Sequence, residues 1–322
     1  MGLRIVMMFC VVLFWTVNAQ AQTPYPNKPV HIIIPYSPGS PTDTYTRKIA
    51  NVAQVKLGVP IVIENKAGAS GVLGSTQVAR SAPDGYTLLA SPSEPFIAST
   101  AMIKSVPYDS MKDFRFITKM FISTPALVVH TKFNIRSLSE LVEKAKTETV
   151  PYGSFGPGSF HQLSLEELSK QAGIRLQEVP YRAPAQAAQA VLAGEVALGY
   201  IPPTQAMEQM KLGKVNILAV IGTRRHDLMP DIPSFAEAGF NAPILRTAFW
   251  TGLIGPAGMP DTVVAKIHAA FRDALQDPEI QSFFAQTGNG LVGNAPADFE
   301  KEIREEYEQV IPLIKAMNIT PQ

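Results

Sequence analysis

Six short apolar runs alternate with segments of helical periodicity along this chain of 322 residues. Strands that are buried on both faces appear in a sequence as nearly continuous apolar runs, and amphipathic helices between them cover the sheet. The alternation therefore predicts an α/β fold, and the length suffices for two domains. The predicted strands are residues 30–34, 61–64, 87–90, 126–129, 197–201 and 217–220.

Residues 1–21 are predicted to be an export signal that is removed near Gln22. Arg4 supplies the positive start, residues 5–17 are apolar, and residues 19–21 read Ala-Gln-Ala, as at a signal cleavage site. The apolar stretch is shorter than a membrane span of about 20 residues. Cleavage would also remove Cys10, the only cysteine, so we expect neither disulfides nor thiolate chemistry, which suits an oxidising compartment.

The rest of the chain is formally neutral. Removing Arg4 from the 28 basic residues leaves 27, against 27 acidic residues. Nucleic-acid-binding domains carry a basic patch or face, and this sequence shows no broad one. We therefore expect no nucleic-acid partner.

Two segments, residues 121–126 and 242–250, are where we expect the chain to cross between two domains. Residues 22–124 plus 247–322 would then form the first domain, and residues 125–246 the second. Two crossings would make a hinge, and ligands prefer clefts between domains. The sequence thus predicts a cleft, and four turns are candidates for its walls.

The first turn follows the strand at residues 30–34. Ser40 is a good N-cap, Pro41 suits the first helical position, and Asp43 lies three residues beyond the cap, as in a capping box. Gly39 lets a ligand approach the backbone closely. A helix N-terminus favours an anion. The same residues would equally form a well-capped helix with nothing bound, and Asp43 in particular suits a cap better than a ligand contact.

The second and third turns, residues 64–71 and 152–161, also follow predicted strands or precede helices. The second turn is rich in small residues, which leave its backbone accessible to a ligand. In the third, Ser154 and Ser159 could hold a carboxylate, while Phe155 and Phe160 could flank an apolar body or belong to the core. The third turn lacks the glycine spacing and the Gly-Lys-Ser/Thr ending of nucleotide-binding loops.

The fourth turn, residues 180–184, precedes a helix and holds Arg182, which is either near a ligand or simply exposed. No G-x-S-x-G motif occurs, and the five histidines show no H-x-x-x-H spacing. His161 at a helix start is either structural or directed at a ligand. The sequence therefore predicts a binding protein rather than an enzyme, with no metal and no cofactor.

Further short motifs run through the chain in a fixed order and spacing. They are Tyr-Pro at 25–26, Pro-Val at 29–30, PGSPTD at 38–43, ENKAGA at 64–69, APDGYTLL at 82–89, Tyr-Asp at 108–109, KDF at 112–114, YGS at 152–154, VPYR at 179–182, LAGEV at 192–196, FAEAG at 235–239 and GPAGMP at 255–260. Through these motifs the chain resembles the Bug-type extracytoplasmic solute receptors of tripartite tricarboxylate transporters, over essentially the whole mature length.

The resemblance implies a type II periplasmic-binding-protein fold, with two α/β domains around a ligand cleft and a two-crossover hinge. It implies capture in the periplasm of a small carboxylate (an organic acid, amino acid or aromatic acid), largely by backbone N–H groups and ordered waters. It further implies a monomer that delivers its ligand to a permease with one large and one small integral-membrane subunit.

By position, the resemblance and the strand ends select seventeen candidate ligand-binding residues. They are Tyr36, Ser37, Gly39, Ser40, Thr42, Asp43, Ala69, Ser70, Ser93, Ser154, Phe155, Ser159, Phe160, His161, Tyr181, Arg182 and Ala183. The family usually has proline where Ser37 stands and glycine where Ser40 stands, and commonly glycine where Ala183 stands. Each change adds a hydroxyl or a methyl near the expected ligand, so the substrate of a relative should not be transferred to this chain.

Three alternatives stay open. Glu94, after the strand at 87–90, could contact an amine or hydroxyl of the ligand, or be an exposed loop residue. The ligand could instead be an amide or an aromatic nitrogen compound that stacks on Phe155, Phe160, Tyr181 and Trp250. Finally, the protein could be a sensor that signals ligand binding without feeding a permease.

Overall fold

The computed structural model describes residues 24–156 and 159–316, whose strands form two separate sheets. The strands are β1 (Val30–Ile34), β2 (Ile61–Asn65), β3 (Thr87–Pro92), β4 (Phe114–Ser123), β5 (Ala126–His130), β6 (Val150–Ser154), β7 (Leu176–Pro180), β8 (Leu198–Ile201), β9 (Val215–Val220), β10 (Phe249–Pro256) and β11 (Gly290–Leu291). All six predicted strands are present. The predicted export signal, residues 1–21, lies outside the described residues.

Eleven α-helices of the described chain connect and cover these strands. They are α1 (Pro41–Leu57), α2 (Val72–Ala79), α3 (Ala98–Met102), α4 (Leu138–Thr147), α5 (Phe160–Ala172), α6 (Pro184–Ala193), α7 (Pro203–Lys211), α8 (Pro243–Arg246), α9 (Asp261–Leu275), α10 (Pro278–Thr287) and α11 (Pro296–Ala316). Within the described ranges, no helix combines the length and the apolar composition that a bilayer crossing requires.

The first sheet has the strand order β11-β4-β10-β3-β1-β2. Strand β1 is parallel to β2 on one side and to β3 on the other, whereas β10 is antiparallel to both β3 and β4. The side chains of β1 alternate between two cores. Ile32 and Ile34 pack with Ile49 of α1 and Ile267 of α9, while Ile33 belongs to the opposite core with Phe96. Both faces of this strand are therefore buried, which explains its unbroken apolar run.

The second sheet has the order β7-β6-β8-β5-β9, with β6 parallel to β7 and β8, and β5 antiparallel to β8 and β9. The chain passes from the first sheet to the second between β4 and β5, and it returns between β9 and β10. We keep the predicted division into residues 22–124 plus 247–322 and residues 125–246 as a proposal, and call these parts lobe 1 and lobe 2.

One hydrophobic cluster contains residues of both sheets. It joins Trp250 of β10 and Phe96 to Tyr152 of β6 and Phe160 of α5. The rings of Phe160 and Phe249 meet edge to face with centroids 4.0 Å apart. An aromatic contact between the lobes therefore lies next to the crossing that leads into β10.

Candidate functional site

Strands β1 and β3 end side by side at one edge of the first sheet, with Ile33 opposite Leu89. The connection from β1 leads to β2 on one side, and β3 then lies on the other side of β1. In open α/β sheets, ligands bind in the crevice beyond the carboxyl ends of strands at such a reversal of strand order. The hydroxyl of Tyr36, just after β1, lies 3.5 Å from Oε2 of Glu94, just after β3.

The first turn is closed by its own hydrogen bonds. The hydroxyl oxygen of Ser40 accepts from the N–H of Asp43 at 3.3 Å, and Oδ2 of Asp43 accepts from the N–H of Gly39 at 2.9 Å. Oδ1 of Asp43 accepts from Nε of Arg47 and from Nδ2 of Asn65, each at 2.9 Å. The predicted cap is therefore present, and the buried Asp43 carboxylate is fully engaged inside the turn.

These bonds also set the charge of Asp43. Burial alone would raise the pKa of its carboxyl group. The hydrogen bonds from Gly39 and Asn65 and the Arg47 charge outweigh burial, so the pKa lies below its ordinary value. Asp43 consequently remains ionised at neutral pH.

The outward surface of the first turn is left for a ligand. Ser37 and Gly39 are exposed, whereas Thr42 is buried as a residue. The N–H of Ser40 donates to the carbonyl of Ser37 at 3.2 Å. Pro41 has no N–H, so among the described residues Thr42 carries the first-turn N–H of α1 without an acceptor. One helix donor is thus free at this turn, fewer than the sequence alone suggests.

The second turn holds strained backbone. Ala69 and Ser70 both have left-handed φ angles, 47° and 50°, and both are exposed. Such residues cost on the order of 1 kcal/mol each and occur preferentially at functional sites. The strain therefore supports a functional role for residues 68–71.

Gly71 is the point where three loops meet. Its φ is +90°, and a Cβ built there would lie 2.5 Å from Cγ of Pro95 and 3.4 Å from the hydroxyl of Tyr36. The second turn, the loop after β1 and the loop after β3 therefore touch one another at a position where only glycine fits.

In the third turn, the hydroxyl of Ser154 already donates one hydrogen bond and accepts another. It donates to Oε1 of Glu178 at 2.5 Å and accepts from the N–H of Gly156 at 3.1 Å. Oε2 of Glu178 accepts from the side-chain amide of Gln162 at 2.8 Å. Ser159 is the N-cap of α5 and accepts from the N–H of Gln162 at 3.4 Å. A ligand could take the Ser154 proton only by displacing Glu178.

His161 is buried, and its ring lies between Phe155 at 4.9 Å and Tyr200 at 5.2 Å between centroids. Burial lowers the pKa of His161 to about 4, so the ring is neutral at physiological pH. Among the described residues, no group hydrogen-bonds its Nδ1. His161 is thus placed within lobe 2 as a neutral, buried side chain.

The fourth turn attaches to the third. The N–H of Tyr181 donates to the carbonyl of Ser154 at 2.9 Å, and the half-buried Tyr181 ring lies beside Gly153. Arg182 is exposed, and its N–H donates to the side chain of Gln186 at 3.0 Å. Ala183 is the N-cap of α6 and has no side chain to cap it. The third and fourth turns therefore form one continuous surface of lobe 2.

A cavity of about 40 Å³ lies between the lobes. It brings together two predicted residues, Ser93 and Phe160, with Glu94. The full lining is Ser93, Glu94, Ile97, Ala98, Phe160, Leu163, Ile244, Thr247, Ala248, Phe249, Glu306 and Val310. The remaining predicted residues are not part of this lining. They lie in the turns described above.

The cavity places two carboxyl groups together, those of Glu94 and Glu306, and nothing in the sequence indicated that they would be neighbours. Trp250 donates from Nε1 to Oε2 of Glu306 at 2.7 Å. Burial raises the pKa of Glu94, and burial raises that of Glu306 to about 7. Within residues 24–156 and 159–316, no Lys, Arg or His nitrogen lies within 4.0 Å of either carboxylate. Glu306 lies next to Tyr307 on α11, so the apolar spacing of this helix gave no signal that its carboxyl group faces the cavity.

A second, larger groove of about 390 Å³ lies at the crossings. It shares Ala248 with the first cavity and includes Arg224, Arg225, His226 and Arg246. Arg224 is paired with Asp227 and Arg225 with Glu237, so most of this positive charge is compensated. No group of three or more His, Cys, Asp or Glu in the described part of the chain is arranged to hold a metal ion.

Comparison with known proteins agrees with this arrangement. Residues 45–319 match the family described as "Tripartite tricarboxylate transporter family receptor". Protein BugT of Bordetella pertussis is 29% identical over 288 residues, which cover 88% of each chain.

Two solved structures are similar over most of their length. A structure described as a periplasmic transporter is 33% identical, with a TM-score of 0.82 over 92% of this chain and 100% of that one. MatC from Rhodopseudomonas palustris, solved with bound malate, is 29% identical, with a TM-score of 0.77 over 90% of this chain and 100% of that one. The periplasmic-binding-protein fold expected from the sequence is thereby confirmed.

Proposed function

Because the chain belongs to the tripartite tricarboxylate transporter family of receptors, we propose that it captures a small carboxylate in the periplasm and delivers it to a membrane permease. The ligand class is an organic acid, an amino acid or an aromatic acid. The protein would hold this ligand between its two lobes and release it unchanged. The seventeen candidate residues remain our proposal for the walls of the cleft, with Ser154 shaping the third turn through its hydrogen bond to Glu178.

The observation that carries this proposal is the meeting of three loops at Gly71. Tyr36, Gly71 and Pro95 come from three different strand-to-helix connections, and Pro95 and the Tyr36 hydroxyl both lie against Gly71 beyond the carboxyl ends of β1 and β3. Exposed backbone in the first and second turns, with the unpartnered N–H of Thr42, suits an anionic group without a buried counter-charge. Malate in the related MatC is a ligand of this class.

The alternative of an aromatic or amide ligand has less support. Trp250 is only 1% exposed and packs against Phe96 and Phe299, so its faces are occupied. Phe160 is buried against Phe249. Of the four proposed stacking residues, Phe155 and Tyr181 are the two that retain partial exposure.

We further propose export by residues 1–21, a monomeric state and delivery to a permease with one large and one small subunit. A sensor role without delivery is the alternative. Deletion of the gene separates the two roles, because a transport receptor is needed for uptake of the ligand. If induction of ligand-responsive genes is lost while uptake stays intact, the protein is a sensor.

A thermal-shift screen of organic, amino and aromatic acids tests the proposed ligand class, followed by calorimetry on the compounds that stabilise the protein. A bound ligand raises the melting temperature by mass action. In Gly71→Ala, we expect affinity to fall at least about tenfold, because the new Cβ meets Pro95 and Tyr36.

Gly213→Ala is the matched control. Its φ of +70° imposes the same backbone strain, but the space around it is open. If no acid raises the melting temperature of the wild-type protein, or if both glycine variants bind equally well, the proposed site is wrong.

A further inference from the structure

We propose that the cavity between Glu94 and Glu306 binds a protonated amine of the ligand, so that the preferred ligand is an amino-substituted carboxylate. This inference rests on the proposed receptor function and narrows its ligand class. It makes Glu94 and Glu306 the residues that determine specificity.

The lining of the cavity is rich in hydrogen-bond acceptors. Glu94 and Glu306 contribute carboxylates, and Ser93 and Thr247 contribute hydroxyl groups. The Glu94 carboxyl group accepts from its own backbone N–H and, at 3.5 Å, the outer limit of a hydrogen bond, from the Tyr36 hydroxyl, while Glu306 accepts the single N–H of Trp250. Each carboxylate can accept about four hydrogen bonds, so most of this capacity is left for a donor on the ligand.

Charge balance favours a cation over a neutral donor. The two carboxyl groups lie in the same cavity, and the pKa of Glu306 is raised chiefly by burial, with the Glu94 charge adding to it. The charged groups that face Glu306 are Glu94, Glu302 and Lys119, and Lys119 is itself paired with Glu302. An ammonium group between Glu94 and Glu306 would stabilise their ionised forms, which have no Lys, Arg or His partner within 4.0 Å among the described residues.

The dimensions of the cavity restrict what can enter. A buried water needs on the order of 10–15 Å³ of such space, so about 40 Å³ admits one small polar head group and not a whole organic acid. Ile97, Leu163 and Val310 supply an apolar wall of the cavity. The body of the ligand must therefore lie outside this cavity.

The cavity adjoins the loops proposed to hold the carboxylate. Glu94 contacts Tyr36, and Tyr36 begins the first turn and touches Gly71 of the second. A ligand that places its carboxylate at these turns could reach the cavity with an amine. A dicarboxylate would instead bring a third negative charge towards Glu94 and Glu306.

Calorimetry with matched ligands tests the inference. Straight-chain acids such as propionate and butyrate are compared with β-alanine and 4-aminobutyrate, with the hydroxy acid of equal length, and with succinate. We expect an amino acid to bind wild-type protein at least about tenfold more tightly than its unsubstituted partner, and to lose that advantage in Glu94→Gln and Glu306→Gln. Both variants preserve side-chain shape, which limits effects on folding.

Glu305→Gln is the matched control, because Glu305 is the exposed neighbour of Glu306 on the same helix and pairs only weakly with Lys301 at 3.8 Å. It should leave every affinity unchanged. If unsubstituted acids, hydroxy acids or succinate bind as tightly as the amino acids, the amine subsite is wrong while the receptor function stands. If none of these acids binds but another acid of the thermal-shift screen does, the amine subsite is likewise wrong. If no acid of either set binds, the proposed function fails as well.

Discussion

The Nε2 atom of His226 lies 2.6 Å from the carbonyl oxygen of Gly288 and links the loop after β9 to the end of α10. The N–H of Leu228 donates to the other ring nitrogen, Nδ1, at 3.1 Å. Because Nδ1 accepts, Nε2 carries the hydrogen and is the donor to Gly288. This bond connects the two lobes beside their crossings, on the wall of the larger groove.

We expect His226→Ala to loosen this connection and to speed ligand release, because closure around a ligand needs contacts between the lobes. The loss of one hydrogen bond should lower the free energy of unfolding by about 1 kcal/mol. Urea unfolding measures the stability, and stopped-flow dissociation measures the release rate.

His268→Ala is the control, since His268 also contacts a carbonyl, that of Asn294 at 3.0 Å, but within lobe 1. It should lose comparable stability without faster release. Equal release rates in both variants would show that the His226 bond has no role in holding the lobes together.

The Asp43 carboxylate should stabilise the first turn in a pH-dependent way. Asp43→Asn places an amide where Gly39, Arg47 and Asn65 all offer donors, so we expect a loss of about 1–3 kcal/mol at neutral pH. The pKa of Asp43 is lower in the folded protein, so its stabilisation is complete above the ordinary value of 3.8 and disappears as pH falls through the folded value.

Urea unfolding of wild type and Asp43→Asn at several pH values measures this. The stability difference should be constant near neutrality and shrink in acid. Asp231→Asn, at an exposed position, should show little difference at any pH. A difference between wild type and Asp43→Asn that persists unchanged in acid would contradict an electrostatic role.

Glu306 should have the opposite pH dependence. Its pKa rises from an ordinary 4.5 to about 7 in the folded protein, chiefly through burial, so folding favours the protonated form. The contribution to stability is complete below about pH 4.5 and is lost as pH rises to about 7. Glu306→Gln can keep an acceptor for Trp250 without the charge, so it should melt at a higher temperature than wild type at pH 8.

Calorimetric melting at pH 5 and pH 8 measures this effect. The gain should be smaller or absent at pH 5, where Glu306 is already protonated, and Glu305→Gln should change little at either pH. A Glu306→Gln variant that melts lower than wild type at both pH values would instead mean that the charged carboxylate stabilises the fold.

Local sequence patterns predicted local structure well. The cap formed by Ser40 and Asp43 follows from residues three apart, and the six predicted strands follow from continuous apolar runs. Five strands were missed, because their sequences interrupt that pattern. Charges at Arg115 and Lys119 break β4, proline or glycine occurs in β6, β10 and β11, and polar residues occupy much of the edge strand β7.

The site was predicted less completely, because its contacts join distant parts of the chain. Glu94 was considered from its place after β3, yet nothing in the sequence showed that α11 would bring Glu306 into the same cavity. Likewise, the turn at Ser154 suggested a free hydroxyl, whereas this hydroxyl donates a hydrogen bond to Glu178 of a neighbouring strand. Both outcomes depend on packing between elements.

Ser154→Ala tests whether that hydroxyl holds the third turn or the ligand. The change removes the donor to Glu178 and the acceptor of the Gly156 N–H, so we expect a stability loss of about 1–2 kcal/mol. Because the hydroxyl already donates to Glu178, affinity for the acids identified in the screen should change less than about threefold, which is under about 0.7 kcal/mol.

Ser159→Ala removes the cap of α5 and is the control for a loss of stability of about 1 kcal/mol. Urea unfolding and calorimetry on both variants make the comparison. A drop in affinity of tenfold or more in Ser154→Ala alone would show that Ser154 binds the ligand directly and that Glu178 gives way to it.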